Sequence, residues 1–296
     1  MTSLFLESEP MAITAEMVKN LRERTGAGMM ECKTALTESN GDVDAAIEYL
    51  RKRGLAQAAK RAGRVASEGI VGIKVSDDRT KGVLAEVNCE TDFVARNDGF
   101  KALVDEITGT VFSSELPHDA LVAADGPVGS RITAEIAKVG ENMAVPRTAK
   151  LSADYIGSYS HMGGKIGVLV QIDGVTGEQA KQEAFRAFVN ELAMHVAAAA
   201  PTYTTRAEVP AADVEKEKEI YRAQMAESGK PANVIDKIIE GKLGAFYEQI
   251  CLVDQPTIRD PKVKVSQAAE AVSKSIGAPL SIKGFARFKV GEASQA

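Results

Sequence analysis

A chain that repeats itself must build the same unit twice, and this one does. Shifted by 85 residues, KGVLAEVNCETDFVARNDGFKALVDEI (81–107) lies over IGVLVQIDGVTGEQAKQEAFRAFVNEL (166–192) without a gap. Gly82, Val83 and Leu84 meet Gly167, Val168 and Leu169, and Phe100, Ala102, Val104 and Glu106 meet Phe185, Ala187, Val189 and Glu191. The same shift sets GIVGIKV (69–75) on DYIGSYS (154–160), so each copy reads as a strand, a hairpin, a second strand and a helix. A further helix and third strand complete each copy: SRITAEIAKVG with NMAVPRTAKL, then SQAAEAVSKSIG with PLSIKGFARFKV. The expected class is α+β, two related antiparallel-sheet-plus-helix subdomains.

Aligning Val139-Gly140 with Ile276-Gly277 needs a shift of 137, so the second copy holds 52 residues more than the first. The surplus falls between Glu208 and Ile258. There Val214, Tyr221 and Met225 seam one helix, and Ile235, Ile239, Leu243, Phe246 and Ile250 seam another across SGKP (228–231). The pattern predicts an antiparallel helical hairpin, with Pro231 in the first turn of its second helix. Two helices alone cannot cover themselves on all sides, so the hairpin docks on the body, on another subunit or on a partner.

Ahead of the repeat, residues 13–55 read as three short helices. Thr14 is the N-cap of the first, which carries Met17, Val18 and Leu21. Met29, Cys32 and Leu36 mark the second, and Asn40-Gly41 breaks the chain before Asp42 caps a third with Val43, Ala46, Ile47 and Leu50 inward. Met29 and Met30 point about 100° apart on a helix, so one of them should face outward. The chain therefore divides into an extension (1–10), a helical bundle with a basic linker (11–64), a first core subdomain (65–152), a second (153–208 and 258–296) and a hairpin insertion (209–257). The extension is expected to be disordered, with Met11 a second start.

Function classes narrow quickly. There is no apolar run near the ~20 residues that span a bilayer, and MTSLFLESEP lacks the basic and apolar regions of a signal peptide, which reads as cytoplasmic. Cys32, Cys89 and Cys251 have no paired spacing and are expected as free thiols. A net charge of -5 disfavours a general nucleic-acid binder. The local exception is RKRGLAQAAKRAGR (51–64), with six bases and no acid, readable as a solvated helical linker or a nucleic-acid contact. No phosphate loop, dinucleotide fingerprint, zinc-protease helix or nucleophile elbow is present, and His118, His161 and His195 lack metal-ligand spacing. No cofactor, metal or catalytic residue is expected. His195 reads as a packed histidine; His161, in a turn of SYSHMGGKIG, is open between a loop residue and a contact.

The segment NCETDFVARND (88–98) stands out. Phe93 aligns with Glu178, and charged residues are almost never buried unpaired, so the shared architecture does not need an apolar group at this position. One alternative is that Asp92 caps a helix while Phe93 fills a local gap. The other is an outward aromatic beside a carboxylate, the form of an interface anchor.

Taken together, LRERTGAGMMECKTALTESNGDVDAAIEYLRKRG, EVNCETDFVARND, KVGENM, GSYSHMGGKIGVLV, SGKP and GFARFKVGE resemble the bacterial elongation factor Ts family, nearly everywhere from Met11 onward. The resemblance implies a ubiquitin-associated-like N-terminal bundle and guanine-nucleotide exchange on elongation factor Tu during translation. It also implies that the Asp-Phe of Thr91-Asp92-Phe93-Val94 inserts between helices of the partner's GTPase domain and disturbs its magnesium and phosphate site. Arg22, Met29, Met30 and Lys33 would add contacts from the bundle, and Val139, Gly140 and His161 match further interface positions. Some members carry an extra C-terminal helical module, a contact expected to be missing or replaced here. Oligomerisation varies in the family, which leaves a homodimer through the hairpin open. Two other classes remain: an adaptor that binds without exchanging nucleotide, and an RNA-binding accessory protein using residues 51–64.

Overall fold

A computed structural model describes residues 12–225 and 231–292 of the chain. The extension, Met11 and most of the SGKP turn lie outside the described residues.

Three helices come first: α1 (Ala15–Thr25), α2 (Met29–Glu38) and α3 (Val43–Arg61). The Thr14 hydroxyl takes the Met17 N–H, Gly26 ends α1 in the left-handed region, and the Asp42 carboxylate takes the N–H groups of Asp44 and Ala45. Val18, Leu21, Cys32, Ala35, Leu36 and Ala46 form the core that these caps align. The basic segment is helical for most of its length, since α3 continues through Arg61 without a break.

The repeat follows, and the 85-residue shift holds element by element. β1 (Glu68–Val75), β2 (Lys81–Cys89), α4 (Asp92–Arg96) and α5 (Asp98–Ser113) recur as β4 (Tyr155–His161), β5 (Ile166–Asp173), α8 (Gly177–Lys181) and α9 (Glu183–Ala199). Each copy closes with a helix and strand, α7 (Pro127–Val139) with β3 (Met143–Ser152), and α12 (Val265–Ile276) with β6 (Ser281–Lys289). The short α6 (His118–Val122) precedes α7, while α10 (Ala211–Met225) and α11 (Ala232–Ile250) precede α12. The sheets are three-stranded and antiparallel, ordered β1-β2-β3 and β4-β5-β6. One helix was expected after the second strand of each copy; two form, because Asn97 and Gln182 sit at ψ 138° and 137° and break the turn at equivalent positions.

The described residues form two compact units, one of 12–69, 87–101 and 114–146, the other of 70–86, 102–113, 147–225 and 231–292. Within the second unit the two copies pack reciprocally. The Val71 N–H donates to Gly164 O at 2.8 Å, and the Ile156 N–H donates to Arg79 O at 2.6 Å; each pair is the other shifted by 85. Arg79 and Gly164 both take positive φ, 61° and 92°. A Cβ on Gly82 would fall 2.8 Å from the Ile156 side chain, and one on Gly167 2.4 Å from that of Val71. Val71, Leu84, Ile156 and Leu169, two equivalent pairs, form the buried cluster between them.

A larger core lies under the second sheet, where Phe185, Leu192 and Val196 of α9 meet Val168, Val170 and Ile172. His195 is packed there as expected: its Nε2 lies 2.8 Å from Gln255 Oε1, and burial holds its pKa below the ordinary value. Helices α10 and α11 meet where Lys242 Nζ donates to Gln224 Oε1 and lies 5.0 Å over the Tyr221 ring. Pro231 is the residue before α11 rather than part of its first turn. All three cysteines are buried thiols, none of them in a disulfide. Among the described residues no helix is long and apolar enough to cross a membrane, and no cluster of three or more His, Cys, Asp or Glu is placed to hold a metal.

Candidate functional site

The buried β2 ends at Cys89, and the chain then turns into α4, only five residues long. Its N-cap is Thr91, not Asp92: the Thr91 hydroxyl accepts the Val94 N–H, and Asp92 is the first helical residue. Arg96 reaches back to Asp92 at 2.9 Å. Ala95 is buried and Val94 half-buried, which turns Phe93 away from the body, 82% exposed. The gap-filling alternative is thereby overturned: Phe93 fills no gap in its own chain. In the second copy Glu178 is likewise exposed, paired with Lys181 at 2.7 Å.

The turn into α4 is held by the end of α7. Gly140 stops that helix at φ 88°, where a side chain would be strained, and sends its N–H to Ile136 O. The next residue, Glu141, accepts the Thr91 N–H at 3.1 Å and the Thr91 hydroxyl at 2.6 Å. Glu90 reciprocates, accepting the Asn142 N–H at 2.6 Å, while the Asn142 side-chain amide donates to Arg64 O. Two sequence motifs 50 residues apart thus become one loop pair. Beside Phe93 they leave a cleft of ≈ 570 Å³ lined by Val94, Asn97, Phe100, Lys138, Val139 and Glu141. Val139 is 39% exposed at its rim.

On the bundle, Arg22 and Lys33 are exposed. Met29 and Met30 are 53% and 72% exposed, so both methionines face outward where one was expected. The reason is their place in the first turn of α2, ahead of Cys32, Ala35 and Leu36, which take the core. His161 belongs to the second unit, at the end of β4 rather than within the turn. It is exposed, with Nδ1 3.0 Å from the Tyr159 hydroxyl, and Met162 follows at φ 50°, also exposed. The carboxylates of Glu90 and Glu141 were not read from sequence. Their motifs were visible, but an acid whose partner lies 50 residues away has no local signature.

Comparison with known proteins gives the family. The family model described as elongation factor TS matches residues 90–292, more than half of the chain. Elongation factor Ts of Halothermothrix orenii is 44% identical over 290 residues, covering 95% of this chain and 93% of that protein. The protein of that name from Trichlorobacter lovleyi is 44% identical over 291 residues, with 95% and 94% covered. That from Lawsonia intracellularis is 42% identical over 294 residues and is covered along 100% of its length. With a repeated α+β core, a family match over more than half of the chain and relatives of this identity covered along 93–100% of their length, the chain belongs to the elongation factor Ts family, the guanine-nucleotide exchange factors of elongation factor Tu.

Proposed function

We propose that this chain, a cytoplasmic nucleotide exchange factor and not an enzyme of covalent chemistry, releases GDP from elongation factor Tu by wedging Phe93 into the GTPase domain. The single observation that carries this is an aromatic 82% exposed at a position where the sister copy has a charged residue. A ring that contributes so little to its own fold is free to bury its surface in a partner, and aromatics of this kind dominate interface energetics. Asp92 beside it supplies a carboxylate to the same contact. Thr91 and Val94 set the base of the wedge; Val139 lines the adjoining rim, and Gly140 ends the helix that carries it. Arg22, Met29, Met30 and Lys33 extend the contact from the bundle, read as ubiquitin-associated-like, and His161 extends it from the second copy. In this reading 65–152 and 153–208 with 258–296 are related subdomains, and 209–257 is an insertion in the second. Ile220 and Val234, exposed apolar residues of α10 and α11, favour a second chain docking on that insertion, which light scattering at micromolar concentration tests.

Exchange obeys linkage: a factor that prefers the nucleotide-free partner weakens nucleotide binding by the same ratio. Release of fluorescent GDP from elongation factor Tu tests the wedge. Truncating a hot-spot aromatic costs ~2 kcal/mol, so Phe93→Ala should lower the stimulated rate by about thirtyfold. Undiminished stimulation would remove the proposal.

A further inference from the structure

A five-residue helix has too few turns to hold itself, because its first hydrogen bonds barely offset the cost of nucleation. The orientation of Phe93 must therefore come from what grips α4 at its base. The two copies solve this differently. In α8 the cap is local: Thr176 is followed three residues later by Gln179, whose side chain accepts both the Thr176 N–H and its hydroxyl. In α4 the cap residue is again a threonine, Thr91, but the position of Gln179 is taken by Val94, which has no acceptor. The missing acceptor arrives from the far end of α7 as Glu141.

The exchange extends to the partners of that clamp. At the positions equivalent to Glu90 and Glu141, the second copy has Val175 and Ala278, both buried in its apolar core. Only the copy bearing the exposed aromatic has traded apolar packing for two carboxylates, each accepting the backbone N–H of the residue that follows the other. A carboxylate accepting two hydrogen bonds from one residue fixes both the peptide plane and the hydroxyl rotor of Thr91, leaving that oxygen's lone pair for Val94.

We infer that Glu141, with Glu90 reciprocating, is a positioning residue for exchange: it locks the base of α4 to the end of α7, so that Phe93 and the Val139-Gly140 corner meet the partner as one rigid surface. The inference rests on the wedge reading above. Pre-ordering a contact spares the complex the cost of ordering it, and for a wedge that cost falls on the strained, nucleotide-releasing state.

The test is GDP release from elongation factor Tu, followed to saturation with wild-type chain, Glu141→Ala, Thr91→Val, Phe93→Ala and the Phe93→Ala/Glu141→Ala pair. Glu141→Ala should lower the maximal release rate about tenfold, the scale of one charge-assisted hydrogen bond, while moving the half-saturating concentration about twofold or less. Thr91→Val, which removes the hydroxyl and leaves Glu141 in place, should lower it in the same direction. Added to Phe93→Ala, Glu141→Ala should cost nothing more, because it acts through that ring. Amide hydrogen exchange gives a second readout: the Thr91 N–H should lose protection in Glu141→Ala while the Leu84 and Phe185 amides keep theirs. Loss of release in Phe93→Ala with a wild-type rate in Glu141→Ala would overturn the clamp alone, as would losses that multiply in the pair. A wild-type rate in Phe93→Ala would bring down the wedge and the clamp together.

Discussion

Phe93 and Phe100 are seven residues apart and face opposite fates. Phe100 is buried, whereas Phe93 gives most of its surface to solvent. Replacing each by alanine should separate stability from exchange. Phe100→Ala should cost about 3–5 kcal/mol, as other large core truncations do, and Phe93→Ala within about 0.5 kcal/mol, as for surface changes. Urea unfolding followed by circular dichroism measures both. His195 carries a different prediction, in pH. Burial lowers its pKa below the ordinary 6.5, so the folded state binds fewer protons than the unfolded chain. Stability conferred by the neutral ring is therefore fully present above pH 6.5 and is lost as pH falls below it toward the depressed value. The melting temperature should decline from pH 7.5 to 5.5 by more in the wild type than in His195→Gln, and equal slopes would show that this ring is not responsible.

At the scale of elements, the repeat explains why glycines recur in the first strand of each copy. A Cβ at Gly72 would fall 2.0 Å from Thr108 Oγ1 and 2.9 Å from Val104 Cγ1; one at Gly157 would fall 2.2 Å from Val189 Cγ1. Val104 and Val189 are themselves equivalent, so each strand lies directly on its helix at the same place. Gly72→Ala and Gly157→Ala should each destabilise the chain by about 1–3 kcal/mol, the usual penalty of overpacking, and do so similarly; thermal melts of the two variants check it. This part of the fold was legible because periodicity and internal repetition are local properties of sequence. The capping residues Thr14 and Asp42 were legible for the same reason, and so was the seam of Ile239 and Leu243, both now buried. The breaks at Asn97 and Gln182 were not, since neither residue is glycine or proline and the turn there is set by backbone bonds to Val94 and Gln179. Nor was the clamp at Thr91, whose acceptor lies 50 residues along the chain. Of the outward methionines only half was foreseen: helical geometry excludes burying both, but it does not say where α2 begins.

For the molecule as a whole, the remaining question is whether binding and nucleotide release are one process. An exchange factor must discriminate between states of its partner, an adaptor need not, and an RNA-binding protein would rely on charge. The basic stretch 51–64 is poorly suited to the last role. Lys52 pairs with Glu48 at 2.8 Å, Arg61 donates to Ile136 O, and Arg64 lies 3.5 Å from Glu90, so half of its six bases already have partners in the chain. The net charge of -5 adds repulsion toward phosphate. Calorimetric titration of elongation factor Tu with this chain, in excess GDP and again without nucleotide, distinguishes the three. Exchange requires tighter binding to the empty partner by about tenfold to a hundredfold, and by linkage the same factor must appear as weakened GDP affinity in the complex. Equal affinities with and without GDP would mark an adaptor, because a ligand indifferent to two states shifts neither. Binding to single-stranded RNA with a log–log salt slope near -0.7 for each phosphate neutralised would mark the charge-driven alternative. The expected result is the first, with the discrimination falling in Phe93→Ala: a ring that contacts the partner only where its switch has opened contributes to one affinity and not the other.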